Sequence, residues 1–163
     1  MTLISKLSAV AVVLLCGTSQ GAFAASTTAS LGVSAIVTDT CTVTAPTAMV
    51  FANPSASAAT NESVQGSIVI LCTAAKTGVT VTMGGGNNLS GAQRRMTDLG
   101  TGFLPYNVFS DAGHANAVAV DGTFFSGNIP AALPVQRSVY GQIPSGAYTA
   151  GTYLDTIVVT LNY

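Results

Sequence analysis

Short runs of alternating apolar and polar residues, separated by glycine, proline, asparagine and aspartate, follow one another along most of the chain. The first such run spans residues 28–41, TASLGVSAIVTDTC. One of its faces carries Ala29, Leu31, Val33, Ala35 and Val37. The other carries Ser30, Gly32, Ser34, Ile36 and Thr38. Because alternation of this kind is typical of a β-strand with one buried face, the pattern predicts a strand that needs a sheet to lie on.

The middle of the chain continues with short predicted strands that end at turn residues. They lie in the stretches CTVTAPTAMVFANP, SVQGSIVILCTA, GVTVTMGGGNN, FLPYNVFSDAG, HANAVAVDGTFF and LPVQRSVYGQIPSG. The apolar run at 68–71 is typical of a buried central strand. We interpret MGGGNN (83–88) as a hairpin turn, because a phosphate-binding loop would need a following Lys-Ser/Thr and a helix. The pattern predicts a single all-β sandwich domain.

The closing run, TYLDTIVVTLNY (152–163), has a similarly apolar face. That face carries Tyr153, Ile157, Val159, Leu161 and Tyr163. Asp155 is the one polar residue among them. Apolar strands are therefore predicted close to both ends of the sandwich sequence.

The first 24 residues have a different character. They combine Lys6, an apolar run at 7–15, and small residues Ala22 and Ala24 around Phe23. This is the composition of a secretory signal peptide with an A-x-A cleavage site, so we expect 1–24 to be removed. The apolar run is too short for a membrane anchor, and Leu15 is too bulky to precede a lipidated Cys16. We expect no transmembrane segment in the mature chain.

Two cysteines then remain, Cys41 and Cys72. An even number in an exported protein predicts one disulfide between them. No further Cys or His stands at ligand spacing, so we expect neither a metal nor another cofactor.

The low charge and the lack of a catalytic residue pattern argue against two classes of function, nucleic-acid binding and catalysis. Only 7% of the residues are charged and the formal net charge is −1, which predicts no binding to nucleic acid. The lone histidine, His114, is interpreted as a solvated loop residue, and Arg94-Arg95 as a surface pair that forms ion pairs. No spacing of nucleophile, base and acid supports an enzyme.

Several of these features together resemble the spore coat protein U domain family, which includes pilin subunits of archaic chaperone–usher (Csu-type) pili. The resemblance rests on Cys41-Thr42-Val43 after the alternating run, Cys72 after a buried strand, RRM and YNVFSDA in mid-chain, and the ending GTYLDTIVVTLNY. It covers essentially the whole mature chain.

This resemblance implies an immunoglobulin-like β-sandwich that lacks its last strand and so leaves an apolar groove beside the C-terminal strand. A periplasmic chaperone would fill the groove until an outer-membrane usher exports the subunit to the cell surface. The N-terminal segment of the next, identical or related, pilin subunit would then take its place by β-strand addition. The expected organisation is a signal peptide at 1–24, a donor-strand segment at 25–40 and the sandwich at 41–163.

Other interpretations stay open. The 29–37 run could be the first strand of the chain's own sandwich. The protein could be a secreted spore- or cell-coat component, or a surface-binding module of the carbohydrate-binding type. An enzyme is the least favoured class.

Overall fold

The computed structural model of the chain describes residues 27–52, 57–58 and 60–163. These ranges contain ten β-strands and no helix. The strands are β1 (Cys41–Thr47), β2 (Ser57–Ala58), β3 (Glu62–Cys72), β4 (Lys76–Met83), β5 (Arg94–Thr97), β6 (Phe103–Phe109), β7 (Gly122–Ile129), β8 (Val135–Ile143), β9 (Gly146–Ala147) and β10 (Val159–Asn162). In the same ranges, nothing helical is long and apolar enough to cross a membrane. The predicted signal peptide at 1–24 lies outside the described residues.

The strands are arranged in two main sheets and one short pair. Five strands form the larger sheet, in the order β1-β3-β8-β6-β5, and three form the smaller, in the order β10-β4-β7. β2 and β9 form the pair. All strand pairings are antiparallel. The predicted all-β sandwich is therefore confirmed.

The core lies between the two main sheets. It is formed by the residues that alternate inward along the longest strands, among them Ile68 and Ile70 of β3, Val79 and Val81 of β4, and Leu104 and Val108 of β6. The disulfide Cys41–Cys72 closes one end of the β1–β3 ladder, where these two residues are also register partners. Because both cysteines are buried, the bond is part of the core.

Compact packing divides the chain between Ile36 and Val37. The unit Val37–Tyr163 contains all ten strands. In the other unit, the described residues 27–36 form no strand and are exposed. The alternating run at 28–41 thus carries a strand pattern, but within the described chain its strand register begins at Cys41, with Thr40 hydrogen-bonded to Thr73 just before it.

Two sequence predictions about strands and turns need correction. The predicted strand at 152–163 is much shorter, because only Val159–Asn162 pairs with β4, while Leu154 makes an isolated bridge to Thr97. MGGGNN does not close a hairpin. β4 and β5 belong to different sheets, so residues 84–93 cross from one sheet to the other.

Candidate functional site

An open groove separates the β1 edge of the five-stranded sheet from the β10 edge of the three-stranded sheet. Its volume is about 260 Å³. Most of its lining is apolar and includes Met49, Phe51, Ile68, Met83, Ile157 and Val159. The two walls come from opposite ends of the sandwich sequence. No short sequence motif therefore contains residues of both walls.

The groove exists because two edges stay unpaired among the described residues. β1 pairs on one side with β3, and β10 pairs on one side with β4. Along the β10 wall, alternate residues Ile157, Val159 and Leu161 turn towards the core but are only half-buried. An unpaired edge with an apolar face offers backbone donors and acceptors to another strand. The groove can therefore accept an extended segment.

Two glycines allow large side chains into the floor of the groove. A Cβ at Gly66 would lie 2.8 Å from the carbonyl oxygen of Thr47 and 3.0 Å from Cγ of Met49. A Cβ at Gly141 would lie 3.0 Å from both Sδ of Met49 and Cζ of Phe51. Because both positions lack a side chain, Met49 and Phe51 can pack against the sheet and form an apolar floor.

One carboxylate, that of Asp155, lies in the mostly apolar lining. Its carboxylate accepts hydrogen bonds from the Tyr106 hydroxyl at 2.6 Å and from the backbone N–H of Asn87 at 2.8 Å. Burial raises the pKa of Tyr106, and the hydrogen bond to Asp155 raises it further. Asp155 is the polar exception of the C-terminal run, and these two bonds compensate for its half-buried position.

Arg94 is not the surface residue that the sequence suggested. It is 4% exposed, and its guanidinium donates to four backbone carbonyl oxygens. The acceptors are Gly84, Val118, Met83 and Ala119, at 2.6–2.9 Å. Burial lowers the pKa of Arg94. The planar fork of an arginine suits such a role, because it presents five N–H donors in fixed directions.

His114 is also more enclosed than expected. Its ring packs edge-on against Phe109, with ring centroids 5.0 Å apart, and against Tyr140 at 6.2 Å. Nε2 is buried and has no hydrogen-bond partner. The predicted loop position is correct, but the side chain is half-buried instead of solvated, and its ring packs the 110–117 turn.

The predicted donor residues are all exposed. Leu31 is 89% exposed, and Val33 and Val37 are 88% exposed. Ala29 and Ala35 are exposed as well. Ile36, on the opposite face of the pattern, is 92% exposed. A concentration of exposed aliphatic side chains in one segment is a feature of interaction surfaces, so the segment is a candidate for one.

The predicted acceptor residues divide into two groups. Tyr153, Ile157, Val159 and Leu161 are half-buried and pack against the core. Tyr163 follows the end of β10 and is 58% exposed, so it does not continue that face into the core. Sequence reasoning missed Met49, Phe51, Met96 and Tyr106 as groove residues. Of these four, only Met49 and Phe51 gave a sequence signal, because they follow Thr47, the last residue of β1, at the same spacing of two.

Comparisons with known proteins agree with this architecture. Residues 27–160 match the Spore Coat Protein U domain. No curated protein sequence matches the chain significantly. A solved chain from the CsuC–CsuE chaperone–tip adhesion subunit pre-assembly complex of archaic chaperone–usher Csu pili of Acinetobacter baumannii is similar in fold, with a TM-score of 0.51 and 23% sequence identity. The match covers 78% of the present chain and 40% of that chain.

Proposed function

Since the chain belongs to the Spore Coat Protein U domain family, we propose that it is a structural pilus subunit that polymerises by donor-strand exchange. Its own groove would accept a strand, and its own N-terminal segment would be donated to a neighbour. The role is mechanical and involves no catalysis. The fold similarity to a chain of a chaperone–subunit complex supports this proposal.

The observation that carries the proposal is the combination of an open apolar groove with an exposed apolar segment in one chain. The groove needs an extended apolar strand to cover Ile157 and Val159. The segment at 29–37 needs a surface to cover Leu31 and Val33. A head-to-tail contact between different surfaces of identical subunits generates an open fibre when its rotation does not close into a ring.

The same physics implies the partners. An unfilled groove is an aggregation hazard, so a periplasmic chaperone would cover it before assembly. An outer-membrane usher would then pass the subunit to the fibre on the cell surface. Export would depend on the signal peptide predicted at 1–24. The remaining partners would be other pilin subunits, identical or related.

A charge on the donor face tests this proposal. Val33→Asp would place a carboxylate in an apolar groove, at a cost of several kcal/mol. The matched control is Ser34→Asp, which adds the same charge one residue later on the opposite face. We expect Val33→Asp subunits to be captured by the chaperone but to form no fibres, whereas Ser34→Asp subunits form them. Co-purification and electron microscopy of the cells give the two readouts.

Two outcomes would contradict donation by this segment. Normal fibres on Val33→Asp cells would show that the face is not inserted. Loss of chaperone capture in Val33→Asp would show that Val33 belongs to the subunit's own sandwich. Val159→Asp, on the wall of the groove, should lose both capture and fibres.

A further inference from the structure

Three consecutive residues are fixed where the N-terminal segment joins the sandwich. Asp39 forms an ion pair with Lys76, with Oδ2 and Nζ 3.0 Å apart. Thr40 is held by Thr73, and Cys41 is bonded to Cys72. We call residues 39–41 the root of the segment. Each of its residues is held by a different kind of interaction.

The Thr40–Thr73 contact extends the β1–β3 ladder by one position beyond the disulfide. The N–H of Thr73 donates to the carbonyl oxygen of Thr40 at 2.9 Å. The N–H of Thr40 donates to Oγ1 of Thr73 at 3.0 Å. Both backbone groups of Thr40 are thus engaged, and its φ and ψ are restrained before the chain reaches the segment.

The residue types in and beside the root favour an extended backbone. Ile36, Val37, Thr38 and Thr40 are β-branched, and no glycine or proline occurs between Ala35 and Cys41. β-branched residues favour extended backbone and restrict χ1. A flexible linker would instead be rich in glycine and serine.

The root also lies near the C-terminal end of β10. Nζ of Lys76, which holds Asp39, is 5.8 Å from the ring centroid of Tyr163, the residue after β10. The point from which the segment starts and the end of the acceptor strand are therefore at the same end of the sandwich.

We propose that the root acts as an anchor that gives the donated segment a fixed starting direction, so that successive subunits meet at a stiff junction instead of a free hinge. This inference rests on the proposed function. Its structural part, the anchored root, concerns the single subunit. Its mechanical part concerns the fibre.

Lys76→Met tests the anchor, because it removes the charge that holds Asp39 and leaves every backbone hydrogen bond of the root in place. Exposed ion pairs contribute up to about 1 kcal/mol, so we expect amide hydrogen exchange at Thr40 and Thr73 to become about two- to fivefold faster. The charge swap Asp39→Lys with Lys76→Asp should restore slow exchange. Arg137→Met is the matched control, because it removes an exposed cation that stacks on Phe125, away from the root.

The fibre gives the second readout. Lys76→Met combined with Thr73→Val also removes the hydroxyl that holds Thr40. The donor face is unchanged, so fibres should form, and we expect their persistence length in electron micrographs to fall to about half or less. Arg137→Met fibres should keep the original value.

The outcomes test the anchored root and the stiff junction separately. Unchanged exchange in Lys76→Met overturns the anchor. Faster exchange with an unchanged persistence length in the double variant overturns the stiff junction. If the unmodified chain forms no fibres, the proposed function fails and the junction fails with it, whereas exchange still decides whether the root is anchored.

Discussion

The centre of the larger sheet and the border of the groove use the same alternating pattern with opposite results. β3 has neighbours on both sides and pairs with β8 over nine consecutive residues. β10 has a neighbour on one side and pairs with β4 over four. Ile68 and Ile70 are fully buried, whereas Ile157 and Val159 are half-buried. The alternating pattern of a strand therefore identifies its apolar face. The number of neighbouring strands decides whether that face is buried.

The segment at 29–37 extends this comparison. Its apolar face is as regular as that of β10, yet the described residues 27–36 form no strand. β3, β10 and this segment thus form a series with two, one and no strand partners in the subunit. Truncating an apolar side chain to alanine should therefore lower the stability of the subunit most in β3, less in β10 and least in the segment at 29–37.

The largest effect is expected at the centre. Ile70→Ala deletes a fully buried side chain, and we expect it to lower the free energy of unfolding by about 3 kcal/mol. Leu161→Ala, on half-buried β10, should cost less than half as much. Urea unfolding followed by circular dichroism checks both variants. Equal losses would show that the two strands are packed alike and would remove the contrast.

An intermediate effect is expected where the groove meets the core. Tyr106→Phe removes the hydrogen bond to Asp155. Because a hydrogen bond to a charged group contributes about 1.5–3 kcal/mol, the free energy of unfolding, measured by urea unfolding, should fall by about that amount. Tyr163→Phe, at an exposed ring, is the control.

The same tyrosine predicts a pH dependence. The pKa of Tyr106 is raised in the folded chain, so above about pH 10 the unfolded chain loses this proton while the folded chain keeps it. Its contribution is complete below that pH and is lost as the pH rises further. Alkaline unfolding curves should therefore fall less steeply for Tyr106→Phe than for the unmodified chain. Identical slopes would contradict the assignment.

The smallest effect is expected in the N-terminal segment. Leu31→Ala changes a side chain that is 89% exposed, so the free energy of unfolding of the single subunit should change by less than about 0.5 kcal/mol. A thermal melt of the unassembled subunit measures it. A loss comparable to that of Ile70→Ala would mean that the segment packs into its own sandwich.

Much of the fold could be predicted because its signals are local. Alternation located β3, β4, β6 and β8, and turn residues separated them. The cysteine count predicted the bond that joins Cys41 to Cys72. The four residues of β5 were missed because RRMT contains no alternating apolar face, and its first residue is buried through hydrogen bonds to carbonyl oxygens.

The sequence by itself determined which faces are apolar, where the chain turns and that one disulfide is available, since each follows from neighbouring residues or from a count. Only the tertiary structure decided which edges remain without a partner, because strand pairing joins residues far apart in the chain. The groove depends on two such edges, β1 and β10. The same holds for Arg94, whose charge suggested the surface. Its four acceptors come from residues 83–84 and 118–119, which only the folded chain brings together around one guanidinium.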